Sequence, residues 1–274
     1  MPARRDFRGK VVVITGAAGG MGVAFARRFA DAGAHLALLD VNAESVATVA
    51  QQLTSAGNRC LGIACDVTNE EDCRRAIAAV IEHYGGIDVL MNNAGITQRS
   101  LLADTATHVY RKVMEVNFFG SLYCTKAALP SLLERRGMII VTSSIAGIAP
   151  LYERSGYAAS KHALHGLFAS LRAELSGSGV DVMFVCPGFT ATGIGAAALD
   201  GSGRPAQHAQ STVGKMATPE SVADAVYAGA TRGKRLLVLT AVGKTTALLN
   251  KFFPALYERV MTRSIRRELR RQGG

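Results

Sequence analysis

The stretch VVVITGAAGGMG, residues 11–22, places a run of β-branched residues directly before a glycine-rich turn. Such a run is typical of a buried strand. Gly16, Gly20 and Gly22 allow a tight turn and a close approach to a pyrophosphate, which the N–H groups of the following helix would bind. The stretch predicts a dinucleotide-binding turn between a strand and a helix, with a bare turn as the alternative.

The same alternation of short apolar runs and longer helical stretches continues along the chain. We predict strands at 11–15, 35–40, 60–65, 87–92, 138–143, 181–186 and 235–240, and helices at 20–32, 43–56, 69–84, 103–135, 157–175 and 218–231. Apolar strands without polar alternation indicate a parallel sheet covered on both faces. The pattern predicts an α/β fold: a single Rossmann-type doubly wound parallel sheet of about seven strands, flanked by helices.

The composition excludes several classes of protein. Of the 274 residues, 49% are hydrophobic and 19% are charged, as in globular rather than disordered chains. No apolar run is long enough for a spanning helix, and the first residues do not resemble a signal peptide. The five cysteines and six histidines show no metal-ligand spacing. We therefore expect reduced thiols, a cytoplasmic location and no metal site.

The net charge of +10 is unevenly distributed along the chain. Residues 231–274 contain 11 Lys and Arg against 2 Asp and Glu, whereas the rest of the chain is close to neutral. A protein whose main task is nucleic-acid binding usually spreads basic charge over its folded domain. The distribution therefore argues against a nucleic-acid partner.

Two aspartates that follow later strands bear on the choice of cofactor. Asp40 ends the second predicted strand, where its carboxylate would accept hydrogen bonds from the adenosine ribose hydroxyls and repel a 2′-phosphate. No Lys or Arg lies within the glycine turn or immediately after Asp40, so we predict NAD, with NADP less favoured. The alternative for Asp40 is a helix N-cap. Asp66 would either bind the adenine amino group or cap the next helix.

Polar residues also follow the middle strands. They are Asn93, Asn117, Ser143, Ser144, Tyr157 and Lys161. Tyr157 and Lys161 are four residues apart, so in a helix they project toward the same space. Taken singly, each residue has a structural alternative: a turn residue, a buried helix polar group or a solvated charge.

Together these motifs resemble the short-chain dehydrogenase/reductase family over roughly residues 8–240. The matching positions are TGAAGGMG (15–22), Asp40, Asp66 and Val67, NNAG (92–95), Asn117, Ser144, Tyr157 with Lys161, and Pro187 with Gly188. The resemblance implies the catalytic tetrad Asn117, Ser144, Tyr157 and Lys161. Ser144 is preferred to Ser143 because it lies 13 residues before the tyrosine, a common family spacing.

The resemblance also implies a set of cofactor-binding residues. They are Thr15, Gly16, Gly20, Met21, Gly22, Asp40, Asp66, Val67, Asn93, Ala94, Gly95, Tyr157, Lys161, Pro187, Gly188, Thr190 and Thr192. A backbone amide near Thr190 and the Thr192 hydroxyl would bind the nicotinamide carboxamide. Relatives of this kind are usually homo-oligomers, so a homodimer or homotetramer is expected.

The chemistry accounts for these residue types. Alcohol oxidation needs a base for the hydroxyl proton and an acceptor for the hydride, and the phenol of Tyr157 is the acid–base group. Positive charge from Lys161 favours the phenolate, and Ser144 would steady the substrate oxygen. By resemblance, Asn117 supports a water that relays the proton from Lys161. The sequence therefore predicts an NAD(H)-dependent oxidoreductase for a secondary alcohol and ketone, or an alcohol and aldehyde.

Two other functions stay open: a non-catalytic NAD(H)-binding regulator or scaffold, and a membrane-peripheral lipid or steroid reductase. We assign residues 1–240 to the catalytic domain and 191–216 to a substrate loop. Because this loop offers only Arg204 as a cation, we expect a neutral, fairly apolar substrate. Residues 241–274 form a basic amphipathic extension that Pro254 should interrupt. It would pack on its own body or a neighbouring subunit, or lie on an anionic membrane.

Overall fold

The computed structural model describes residues 5–195, 197–207 and 216–272, with side chains described as far as residue 266. Within these ranges, seven strands form one parallel sheet in the order β3-β2-β1-β4-β5-β6-β7. The strands are β1 (Val11–Thr15), β2 (His35–Asp40), β3 (Cys60–Ala64), β4 (Val89–Asn92), β5 (Met138–Thr142), β6 (Asp181–Cys186) and β7 (Leu236–Val238). The predicted α/β fold with a doubly wound parallel sheet is confirmed.

Helices cover both faces of this sheet. They are α1 (Gly20–Asp31), α2 (Ala43–Ser55), α3 (Glu70–Tyr84), α4 (Thr107–Met114), α5 (Gly120–Glu134), α6 (Ser155–Glu174), α7 (Pro219–Thr231), α8 (Ala241–Phe252) and α9 (Pro254–Gln272). One apolar core joins α1, α2 and α7 to the sheet, and a second joins α3, α5 and α6 to the opposite face. Phe25 and Phe29 of α1 are fully buried, and each contributes roughly 1.5–3 kcal/mol of burial free energy.

The long helix predicted at 103–135 is interrupted. A short 3₁₀ turn, Leu102–Asp104, precedes α4, and a π-helical turn, Glu115–Phe119, separates α4 from α5. Asn117 lies in the π turn, and its side chain bonds the backbone of Ile96 in the loop after β4. A single wider turn leaves the apolar periodicity nearly unchanged, so the sequence pattern does not reveal it.

The strand order places the functional region at a topological switch point. β1 and β4 are neighbours, but the chain runs outward from them toward opposite edges of the sheet. The loops after their carboxyl ends diverge and leave a crevice there, which is where open α/β sheets bind ligands.

Candidate active site

A cleft of about 530 Å³ opens at the carboxyl ends of β1, β4, β5 and β6. Its floor includes Asn93, Ser144, Tyr157 and Lys161, which come from the sheet and α6. Its far wall comes from the C-terminal extension and is mostly apolar, with Leu249, Tyr257, Val260, Met261 and Ile265 among its residues. The extension that the sequence separates from the catalytic domain therefore forms part of the cleft.

The glycine turn at the start of α1 has the geometry that phosphate binding requires. Gly16 has φ +62°, and a Cβ there would lie 2.7 Å from the Ala94 Cα. A Cβ at Gly22 would lie 2.3 Å from the Gly16 carbonyl oxygen. Both positions therefore need glycine, and α1 begins with its first N–H groups beside the cleft.

The loop NNAG is fixed to this turn by hydrogen bonds. The buried Thr15 hydroxyl accepts from the amides of Asn93 and Ala94, each at 3.0 Å. The Asn93 amide group donates to the carbonyls of Thr15 and Gly16, at 3.0 and 3.1 Å. Thr15 is only 2% exposed, so its side chain positions the loop and does not face a ligand.

Asp40 bonds to the glycine turn. Its carboxylate accepts from the Ala18 amide at 2.9 Å and from the Asn42 amide at 3.1 Å. The N-cap of α2 is Asn42, whose side chain accepts from the Ser45 amide, so the alternative of Asp40 as the cap is wrong. The carboxylate stands at the end of β2 beside the phosphate-binding turn.

Asp66 and Val67 follow β3. The exposed Asp66 carboxylate accepts from the amide and hydroxyl of Thr68, at 2.9 and 2.8 Å. Asn69 caps α3, so the capping alternative for Asp66 is also wrong. Val67 is buried, and its side chain would lie 2.8 Å from a Cβ at Gly120. Only the backbone of Val67 remains for a ligand.

Asn117 is fully buried in the π turn and is held on several sides. Its Oδ1 accepts from the Ile96 amide at 2.8 Å, and its Nδ2 donates to the Ile96 carbonyl at 3.0 Å and the Ser160 hydroxyl at 2.8 Å. Asn117 Oδ1 and Lys161 Nζ both lie within 3.4 Å of the position that a Cβ at Gly95 would occupy. The loop after β4, the π turn and α6 are thereby locked together under the cleft.

The two serines after β5 have different partners. The Ser143 hydroxyl bonds His165 Nε2 at 3.0 Å. The Ser144 hydroxyl accepts from the Ala146 amide at 3.1 Å and retains its own hydrogen for a second partner. Burial lowers the pKa of His165 to about 4, so His165 is neutral at physiological pH.

Tyr157 and Lys161 lie one turn apart on α6 and both line the cleft. Lys161 Nζ donates to the Thr142 carbonyl at 2.8 Å and lies 5.7 Å from the centre of the Tyr157 ring. Burial lowers the pKa of Lys161 to about 8. Burial raises the pKa of Tyr157, while the Ser144 side chain and the charge of Arg154 act in the opposite direction.

The turn after β6 covers the opposite side of the cleft. The Pro187 carbonyl accepts from the Ile145 amide at 3.2 Å, and Gly188 approaches Thr240 closely. Thr190 pairs with Ala217 across the loop. The predicted substrate loop, 191–216, begins here, but residues 196 and 208–215 of it lie outside the described residues.

A nicotinamide cofactor fits the polar groups that this cleft leaves unused. Thr192 Oγ1 and Asn93 Oδ1 are buried and have no hydrogen-bond partner among the described residues. Thr192 lies over the glycine turn, 3.5 Å from the position of a Cβ at Gly20. Buried polar atoms of this kind are normally satisfied, and a carboxamide and ribose would satisfy them. Met21 lines the same side of the cleft.

Sequence reasoning missed two residues that line the cleft, Thr97 and Arg154, and two that lie next to them, Gln98 and Arg99. Gln98 Oε1 accepts from the Tyr157 amide at 3.0 Å and so fixes the start of α6. Thr97, Arg99 and Arg154 lie beside it and are buried. The signal that could have found them is their position, two to four residues after NNAG and three before Tyr157, rather than a motif of their own.

The C-terminal extension packs on its own body, as the first of the alternatives for it predicts. The Tyr257 hydroxyl donates to the Pro150 carbonyl at 2.9 Å, and the Asn250 side chain donates to the Ile148 carbonyl at 3.0 Å. Pro254 separates α8 from α9, as expected. The side chains of Arg267, Arg270 and Arg271 lie outside the described residues.

The described residues contain neither a candidate membrane-spanning helix nor a candidate metal cluster. No helix in it is both long and apolar enough to cross a bilayer. No cluster of three or more His, Cys, Asp or Glu residues in it is arranged to hold a metal ion.

Known proteins share this sequence and fold. A family model described as short chain dehydrogenase matches residues 10–202. The dehydrogenase/reductase SDR family member 7B of Danio rerio is 36% identical, over 97% of this chain and 88% of that protein. The protein of the same name from Bos taurus is 37% identical, over 97% of this chain and 84% of that one.

Two solved structures connect the fold to a cofactor. A short-chain dehydrogenase/reductase from Burkholderia phymatum in complex with NAD superposes with a TM-score of 0.82 and 28% identity, over 92% of this chain and 96% of that chain. An alcohol dehydrogenase from Thermococcus sibiricus complexed with 5-hydroxy-NADP superposes with a TM-score of 0.74 and 27% identity, over 85% of this chain and 97% of that chain. The fold is thus one that binds nicotinamide cofactors, and the protein is an oxidoreductase that belongs to the short-chain dehydrogenase/reductase family.

Proposed function

We propose that the protein is an NAD(H)-dependent oxidoreductase that interconverts a secondary alcohol and a ketone, or an alcohol and an aldehyde, with Tyr157 as the acid–base residue. The observation that carries this proposal is the joint position of a phenol and a buried ammonium group in one cleft, 5.7 Å from the ring centre to Lys161 Nζ. Burying a lysine without a carboxylate partner is costly. A regulator or scaffold that only bound NAD(H) would not need this pair.

When bound, the nicotinamide supplies or accepts the hydride. Tyr157 donates its proton to the carbonyl oxygen during reduction and takes a proton from the hydroxyl during oxidation. Burial raises the pKa of Tyr157, so the phenol carries its proton at neutral pH and can act as the acid in reduction. The Ser144 hydroxyl donates to the substrate oxygen as negative charge develops there.

Lys161 and Asn117 support Tyr157 in different ways. Lys161 Nζ has one backbone partner, Thr142, and keeps two hydrogens for the nicotinamide ribose and a water. The Asn117 side chain is already engaged with Ile96 and Ser160. Asn117 is therefore a positioning residue that holds the loop and α6 around the water that relays the proton.

The position of Asp40 favours NAD over NADP as the cofactor. The Asp40 carboxylate reaches the Ala18 amide in the glycine turn, so a 2′-phosphate on the adenosine ribose would meet negative charge. It would find no Lys or Arg within residues 15–22. Electrostatic repulsion is then expected to weaken NADP binding relative to NAD.

The test is a scan of ketones, aldehydes and alcohols with NADH or NAD, followed at 340 nm. Wild type should turn over a carbonyl compound, and Tyr157→Phe should lower kcat about 10²- to 10⁴-fold while NADH binding changes little. Tyr227→Phe is the matched control because Tyr227 packs against Phe7 and Phe29 and does not line the cleft. Full activity in Tyr157→Phe, or NADH binding without turnover of any carbonyl, would reject the catalytic assignment.

The outer face of the extension supports peripheral binding to an anionic membrane. Leu248, Phe252, Phe253 and Leu256 are 51–62% exposed and do not line the cleft. Lys251, Arg259 and Arg263 are exposed on the same two helices, with Glu258 as the acidic neighbour. An apolar face bordered by cations suits anionic lipid headgroups.

Vesicle flotation tests this membrane contact. Phe252→Ser with Phe253→Ser should reduce co-flotation with phosphatidylglycerol vesicles and leave turnover of a soluble ketone unchanged. A homodimer or homotetramer through the same face is the other expectation. In that case light scattering would give a smaller mass for the double variant than for wild type, and wild type would not co-float with vesicles.

A further inference from the structure

Two arginine side chains are buried at the substrate end of the cleft. Arg99 is 5% exposed and Arg154 is 7% exposed. No carboxylate of the described residues lies within ion-pair distance of either one. Arg154 Nη1 donates to Thr97 Oγ1 at 2.8 Å, whereas Arg99 Nε and Nη1 have no hydrogen-bond partner among these residues.

The fold holds these two arginines side by side. Glu153, which precedes Arg154, has φ +60°, an uncommon conformation for a residue with a side chain. Its carbonyl accepts from the Ser100 amide at 3.0 Å and from Gln98 Nε2 at 3.3 Å. These bonds join the segment after NNAG to the start of α6, so the strained turn brings Arg99 and Arg154 together.

A small cavity lies beside Arg99 and shares lining residues with the main cleft. Its volume is about 20 Å³, which suffices for about one water-sized group. Arg154, Leu151, Phe189 and Ile265 line both this cavity and the main cleft. A single oxygen atom of a molecule in the cleft could therefore reach the Arg99 guanidinium.

Glu153 also lines the small cavity, but its carboxylate forms no ion pair with either arginine, so their charge is only partly compensated. Burial lowers the pKa of Arg99, and the Glu153 carboxylate acts on it only from beyond ion-pair distance. Burial also lowers the pKa of Arg154, and the like charge of Arg99 acts in the same direction. Buried charges are normally paired, so this pair is prepared for an anion.

We propose that Arg99 and Arg154 bind an anionic oxygen group of the substrate, a carboxylate or a phosphate. The reacting carbonyl lies at Tyr157, and the apolar part of the substrate lies along α8 and α9. The inference rests on the proposed function and gives its substrate class: a ketone or alcohol with an anionic head and an apolar chain. It replaces the expectation of a neutral substrate, which considered only Arg204 of the loop.

Paired substrates test this preference. We expect wild type to reduce 4-oxononanoate with a kcat/KM about 10- to 100-fold higher than its methyl ester, the range for a hydrogen bond to a charged group. A second pair compares 1-hydroxy-2-octanone phosphate with 1-hydroxy-2-octanone. The pair with the larger ratio of charged to neutral kcat/KM shows whether the site prefers a carboxylate or a phosphate. Arg99→Met should remove this preference by lowering kcat/KM for the charged substrate, while kcat/KM for the neutral substrate stays unchanged. Arg232→Met, at an exposed arginine, is the matched control and should retain it.

Thermal unfolding in the presence of unreactive probes tests the anion site independently of turnover. Octanoate or octyl phosphate should raise the Tm of wild type more than octanol does, and Arg99→Met should lose that difference. Without a probe, Arg99→Met should have an equal or higher Tm, because a buried unpaired charge has been removed.

The two proposals fail in distinguishable ways. Equal shifts by octanoate, octyl phosphate and octanol, with equal kcat/KM for charged and neutral ketones, would overturn the anion site and leave the dehydrogenase proposal intact. Anion-dependent shifts without turnover of any carbonyl would overturn the dehydrogenase proposal and leave the anion site. A lower Tm for Arg99→Met, with the preference retained, would show that Arg99 is structural.

Discussion

The two sides of the cleft are built differently. On the cofactor side, the glycine turn and the loop NNAG bond to each other through backbone groups and the buried Thr15 hydroxyl. On the substrate side, the wall and the small cavity beside it come from segments far apart in the chain: Arg99, Arg154 and the extension with Tyr257. One side depends on backbone shape, and the other depends on which side chains meet.

This difference determines how each side responds to mutation. A backbone-built site loses function when a Cβ enters it, because the chain cannot move aside. A side-chain site loses specificity when a partner is removed, while the fold persists. We expect the largest loss from a Cβ added to the backbone-built side, and smaller effects from changes to single side chains.

Gly22→Ala should weaken NADH binding about 10- to 100-fold and lower the free energy of unfolding by about 1–3 kcal/mol, the range for overpacking. The added Cβ would lie 2.3 Å from the Gly16 carbonyl oxygen. Gly166→Ala on α6 is the control, because a Cβ there meets nothing within 4 Å and alanine favours helix. NADH fluorescence and thermal unfolding measure both effects. Unchanged binding in Gly22→Ala would contradict a backbone-built site.

Lys161→Met should change how stability depends on pH in the protein without cofactor. The pKa of Lys161 is about 8 when folded and about 10.4 when unfolded, so between these values the unfolded chain binds more protons. Stability from this group therefore rises with pH, by about 2 kcal/mol from pH 7.5 to 9.5. The free energy of unfolding in urea, measured against pH for wild type and Lys161→Met, isolates this contribution by difference. The same pH dependence in both proteins would refute a lowered pKa of Lys161.

Thr192→Val should weaken NADH binding about two- to tenfold, the value of one hydrogen bond. The Thr192 hydroxyl is buried and without a partner among the described residues, so its removal should leave the Tm unchanged or higher. Calorimetric titration with NADH measures the loss. Unaltered affinity would mean that Thr192 does not contact the cofactor.

Asp40→Asn should narrow the preference for NAD over NADP by about fivefold, as for an exposed charge interaction. Asparagine keeps an oxygen for the Ala18 amide, so the turn is retained. The ratio of kcat/KM values for the two cofactors measures the change. A wild-type enzyme that already prefers NADP would refute the role given to Asp40.

The sequence predicted the sheet and the cofactor side because both leave local signatures. Buried strands such as Val11–Thr15 are continuously apolar, and glycines are required where the backbone approaches itself. The π turn at Asn117 was not predicted, since it depends on a bond to Ile96 that only the folded chain makes. Arg99 and Arg154 were missed for a related reason. They are 55 positions apart in the chain, and no periodicity marks which arginine a fold will bury.

The central claim is that hydride passes directly between the nicotinamide and a substrate carbon beside Tyr157. The most direct test supplies NADH that carries deuterium at both C4 positions, with a ketone from the scan, and analyses the alcohol by mass spectrometry. The account predicts one deuterium on the carbinol carbon of the alcohol. Tyr157→Phe should form this labelled alcohol only at its residual rate. An alcohol whose new hydrogen on that carbon comes from water would contradict it.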